Sequence, residues 1–130
     1  MPAYLNAVAS AVPEHDVHAA FVGYARGLLP PRARPVFDRM VERSGIAHRY
    51  APFRPNTLSG VSGENLDHAG LYRRDAFPAT GARMDAYERL APDLAEQAVR
   101  KLDLHGITHL ICASCTGFMA PGLDQVLAER

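Results

Sequence analysis

Residues 107–122 read ITHLICASCTGFMAPG. Ile107 to Ala113 is a nearly continuous run of apolar, strand-forming residues, the pattern of a strand buried on both faces of a parallel sheet. Ser114 to Gly122 then forms a short loop, and Leu123 opens a last helix of about two turns. Upstream, Met84, Tyr87, Ala91, Leu94, Ala98 and Leu102 step by three and four, the strongest helical signal in the chain. Pro92 is expected to kink or restart that helix, and Asp103 to Gly106 to turn out of it. Helix, strand, loop and helix in that order make a crossover unit. The expected class is therefore α/β, with a mixed or parallel sheet and helices packed on it. The last helix has no capping signal after Glu129 and Arg130, so the sequence reads as cut.

Working toward the N-terminus, Asn56 to Gly81 holds four of the ten glycines and no sustained periodicity. A loop that long either serves a function or hides a short helix. Ile46 to Phe53 reads as extended. Arg34 to Ser44 reads as a helix with Val36, Phe37, Met40 and Val41 inward and Gly45 as its left-handed stop. Another helix precedes it, capped by Asp16, with Val17, Ala20, Phe21, Tyr24, Ala25 and Leu28 on one face and Pro30 and Pro31 ending it. Ala3 to Val12 reads as a first strand ended by Pro13.

The length of 130 residues allows one domain or part of one. Fourteen basic against fourteen acidic residues give no net charge, which disfavours a nucleic-acid binder held by bulk positive charge. Lys101 is the sole lysine, so forked guanidinium contacts to phosphate or carboxylate are better supplied than point-charge ones. No apolar run is long enough to span a bilayer, and the N-terminus lacks the basic start and apolar core of a secretory signal. A cytoplasmic protein with reduced thiols and no membrane partner is the expectation. Two cysteines cannot build a disulfide framework.

The loop after the expected strand places a thiol and a hydroxyl, Cys115 and Thr116, where open α/β sheets bind ligands. Phe118 and Met119 could wall an apolar pocket, and Gly117 and Gly122 let the backbone turn closely. The bland alternative makes Cys115 a small buried hydrophobe. Cys112 and Cys115, with His105 and His109 nearby, invite a zinc or dithiol reading. Strand alternation sets His109 and Cys112 on opposite faces, however, and a redox pair normally opens a helix rather than sitting within a strand. No metal is expected. Arg39 and Arg43 share one helical face, a like-charge pair that a polyanion could relieve. Beside Glu42, a solvated, salt-bridged face is the alternative. No histidine has a fixed partner in sequence that marks it as a general base.

ITHLICASCTGFMAPGLDQVLAER closely resembles the corresponding part of type III polyketide synthases, the chalcone and stilbene synthase family, and the bacterial members more than the plant ones. VFDRMVERSGIAHRY resembles a helix and strand upstream in that family and DAYERLAPDLAEQAVRKL the long helix before the loop, so the resemblance covers nearly the whole chain in order. It implies a thiolase-like fold, of which residues 1–130 would be the N-terminal portion. It also implies an acyltransferase that condenses malonyl-CoA, with decarboxylation, onto an acyl-CoA starter, and that is homodimeric when complete. No cofactor is held permanently; coenzyme A thioesters are the substrates. By the same resemblance, Cys115 and Thr116 line the acyl cavity and Arg39 and Arg43 contact the coenzyme A phosphates. Val36 stands where many relatives carry a third basic residue, and Ala120 where plant enzymes carry a methionine that reaches the partner subunit. The Cys-His-Asn triad of the family lies downstream of the matched loop, so no catalytic residue is expected here and the chain alone is expected to be inactive. The alternatives are a non-catalytic remnant or binding fragment, and part of a ketoacyl carrier-protein synthase of the same superfamily.

Overall fold

A computed structural model describes residues 4–130. The chain divides into two compact units, one formed by Pro13–Pro78 and the other by Met1–Val12 together with Ala79–Arg130.

In the unit Pro13–Pro78, helix α1 spans His18–Leu28 and helix α2 spans Arg34–Ser44, joined by a 3-10 turn over Pro31–Ala33. Both helices were legible in the apolar spacing. Pro35 sits in the first turn of α2, where its missing N–H costs nothing, and Gly45 ends it with φ 64°. Arg26 of α1 donates two hydrogen bonds to the Asp38 carboxylate of α2, at 2.8 and 3.1 Å, which ties the helices side to side. The residue that caps α1 is Val17 rather than Asp16. Asp16 acts one residue earlier, accepting the His18 N–H at 3.0 Å.

The expected sheet takes a different form. Strand β1, His15–Asp16, pairs antiparallel with β2, Tyr50–Ala51, the one ladder among the described residues. Tyr4–Val12 and Ile107–Ala113 form no strand, and Ala3 lies outside the described residues. Ile107 is 63 % exposed and Ile111 90 %, where a buried parallel strand was expected. The physical reason is that a strand exists only through a neighbour's ladder, and neither segment has one here.

Of the stretch Asn56 to Gly81, Thr80 and Gly81 open a helix over Thr80–Val99, and the rest holds no helix but is ordered by backbone pairing. Asn56 N donates to Leu66 O at 3.0 Å, Leu66 N to Tyr72 O at 2.8 Å and Arg74 N to Glu64 O at 2.9 Å. The buried Asp67 carboxylate accepts the N–H groups of Leu71 and Tyr72, at 3.3 and 2.7 Å, and so fixes the return of the chain.

In the other unit, helix α3 runs over Thr80–Val99 as one element that includes Pro92, and helix α4 covers Leu123–Ala128. Ala86 and Pro92 are the buried residues of α3. Arg130 donates to Asp93 and Glu96 of α3, each at 2.7 Å, and clasps the end of α4 against it. No helix among the described residues is long and apolar enough to cross a membrane.

Candidate functional site

Arg39 and Arg43 stand one turn apart on α2, both exposed, and neither has a carboxylate partner among the described ion pairs. Two nearby arginines are committed. Arg26 holds Asp38, and Arg34 Nε donates to Leu29 O at 3.2 Å. Arg43 lies in the last turn of α2, where the negative end of the helix dipole favours a cation. Two guanidinium forks left open on one face can take a phosphate or pyrophosphate oxygen set bidentately. Val36, 51 % exposed on the same helix, adds an apolar edge and no third charge.

Cys115 and Thr116 lie in the loop that leads to α4. Sγ and Oγ1 are 3.7 Å apart, and both residues are exposed. Ser114 Oγ accepts the Gly117 N–H at 2.9 Å, so the chain bends here through a side-chain turn. Gly117 is required by what it faces: a Cβ at this position would run into the Tyr87 ring of α3. Phe118 is 77 % exposed and therefore does not wall a closed pocket. The loop thus presents a thiol and a hydroxyl together, while the bland reading of Cys115 as a buried hydrophobe fails because the thiol is free and exposed.

The candidate metal residues are not gathered. Among the described residues no three His, Cys, Asp or Glu side chains converge, and His109 Nδ1 lies 2.8 Å from Thr108 Oγ1.

Sequence reasoning missed the cavity of the unit Pro13–Pro78. An open cleft of about 350 Å³ is lined by Phe21, Tyr24, Phe53, Leu66, Tyr72 and Phe77 with their neighbours, a volume in the range of ligand pockets. Phe53 and Phe77 each meet Tyr72 edge to face, at 6.3 and 6.2 Å between centroids. Arg49 lies over the Phe21 ring and Arg74 over that of Tyr24, each at 5.0 Å. Arg74 Nε also donates to Glu64 at 2.8 Å. Glu64 is held at a pKa of about 2 by the Ser59 hydroxyl and the Arg74 guanidinium, with the N–H groups of Ser59 and Gly60 adding to them. The one local signal for this wall was Asp67 with Gly70 three residues on, a turn pairing that goes unnoticed in a glycine-rich stretch.

No protein-family model, curated protein or solved structure matches this chain.

Proposed function

We propose that this chain is part of a coenzyme A-dependent acyltransferase of the type III polyketide synthase kind, active in the cytoplasm on an acyl-CoA starter and malonyl-CoA. The observation that carries the reading is the pair Arg39 and Arg43, exposed on one face of α2 without carboxylate partners among the described residues, while Arg26 and Arg34 are engaged. In this reading the two guanidinium groups hold the phosphates of the thioester. Cys115 and Thr116 meet the acyl chain, with Thr116 donating to a carbonyl and Cys115 setting the volume beside it. The nucleophile is supplied by residues outside this chain, so binding is the activity that the chain itself carries. The thiolase-like fold and the homodimer of the complete enzyme belong to the same proposal.

Titration of the chain with coenzyme A, followed by nuclear magnetic resonance, tests it. The amides of α2 around Arg39 and Arg43 shift, and Arg39→Ala or Arg43→Ala weakens binding by about tenfold or more, as expected for a charge-assisted hydrogen bond. Unchanged affinity in both variants would remove α2 from the site. In a synthase that includes the catalytic triad, Cys115→Phe and Thr116→Leu shorten or redirect the products.

A second reading rests on the exposure of Ile111 and Phe118: a non-catalytic fragment that binds a partner through residues 107–118. That reading requires binding that survives the double substitution Arg39→Ala, Arg43→Ala and is lost in Ile111→Asp.

A further inference from the structure

A redox pair normally opens a helix, and Cys112 and Cys115 do not, since α4 begins at Leu123; the other objection to a dithiol reading, that Cys112 sits within a buried strand, is removed by the structure. Both thiols are free and exposed, and residues 108–121 make no backbone-to-backbone hydrogen bond among the described residues. No ladder therefore has to break for the chain to turn between them. A disulfide needs its two Cα atoms within about 4.4–6.8 Å, which a tight turn over two intervening residues supplies. Those residues are Ala113 and Ser114, the smallest of side chains, and the chain already bends at Ser114 to Gly117. Closing so short a loop makes the second thiol's attack effectively unimolecular.

We infer that Cys112 and Cys115 form a reversible redox site that closes to an intramolecular disulfide by exchange with a low-molecular-weight disulfide such as oxidised glutathione. Cys115 reacts first, because the Thr116 hydroxyl 3.7 Å from its sulfur can donate to the thiolate. The Cys115 thiolate, having lost its proton to water, attacks one sulfur of oxidised glutathione. The protein–glutathione S–S bond forms, the glutathione S–S bond breaks, and a glutathione thiolate leaves. The Cys112 thiolate then attacks the Cys115 sulfur, forming the Cys112–Cys115 bond and expelling the second glutathione thiolate. The protein dithiol is oxidised by two electrons and one glutathione disulfide is reduced to two thiols. The consequence for function rests on the proposed acyl-binding role of Cys115: closure removes that thiol from the acyl chain and redirects Thr116, so the oxidised protein binds acyl thioesters more weakly.

Purified chain is incubated with oxidised glutathione, quenched with acid and weighed, folded and in urea. The folded wild type is expected to become lighter by two hydrogen atoms without a lasting adduct, at least as fast as the unfolded chain. Cys112→Ser is expected to stall as the glutathione adduct of Cys115. A folded chain that keeps both thiols, accumulates two glutathiones, or closes more than about tenfold slower than in urea, the equivalent of about 1.4 kcal/mol against closure, overturns the inference. Binding of an acyl thioester before and after oxidation separates the two ideas. Closure with weakened binding supports both. Closure without any loss of binding removes Cys115 from the acyl chain and leaves the redox site standing, whereas failure to close removes the redox site whatever the binding.

Discussion

The Asp16 carboxylate accepts the Nδ1–H of His48 at 2.6 Å, across 32 residues of sequence. Its other oxygen takes the backbone N–H groups of His18 and Arg49, at 3.0 and 3.2 Å, so one side chain joins the start of α1 to the segment that follows α2. These bonds, His48 first among them, lower the Asp16 pKa from 3.8 to about 2. A depressed carboxylate stabilises the folded state fully above its unfolded pKa and loses that contribution as pH falls through its folded value. The chain is therefore expected to lose stability between pH 3.8 and about 2, and Asp16→Asn to flatten that limb of an acid titration followed by circular dichroism. An unaltered acid limb in Asp16→Asn would show that the three bonds do not form in solution.

Glu64 supplies a second acid-sensitive contact, in the loop rather than at the ladder. Its pKa falls from 4.5 to about 2, so the sign is the same and the window runs from 4.5 down to about 2. Glu64→Gln is expected to speed hydrogen exchange at the Ser59 and Gly60 amides at neutral pH, because the carboxylate oxygens accept both. Equal protection in the variant would mean that other groups hold this turn.

Asp67 is 4 % exposed and accepts two backbone donors. Asp67→Ala leaves the Leu71 and Tyr72 N–H groups without their acceptor and is expected to cost about 1–3 kcal/mol, read as a lower urea midpoint. Asp67→Asn, which keeps an acceptor oxygen, is expected to recover part of the loss. A midpoint unmoved by Asp67→Ala would contradict the geometry.

Gly117→Ala is expected to destabilise by about 1–3 kcal/mol, because the new methyl group meets the Tyr87 ring. The double substitution with Tyr87→Ala is then less destabilising than the sum of the single ones. Additive losses would place Tyr87 elsewhere.

The helices were legible because their signals are local. The apolar spacing of α1 and α3, the proline pair after α1 and the Gly45 stop each sit within a few residues of what they determine. Pro92 lies buried within α3 without dividing it. Ile107 to Ala113 misled for the opposite reason. Branched apolar composition says that a segment suits a strand, while the ladder that makes one comes from residues far away in sequence. The aromatic cavity was illegible on the same ground. Phe21 and Tyr24 announce an apolar face of α1, but nothing near them says that Phe53, Tyr72 and Phe77 come to meet it. Arg39, Arg43, Cys115 and Thr116 fell where helix and loop were expected, and only their exposure had to come from the structure.

The sole lysine of the chain has its ammonium 2.8 Å from the carbonyl oxygen of Ser10, so the segment around Ser10 is tethered at Lys101 just beyond α3. Amine-directed reagents consequently meet one side-chain target within these 130 residues, and that target is occupied whenever the tether is fastened. The rate at which Lys101 is labelled becomes a built-in gauge of how often this N-terminal stretch lets go, readable by peptide mapping without placing any probe in the chain.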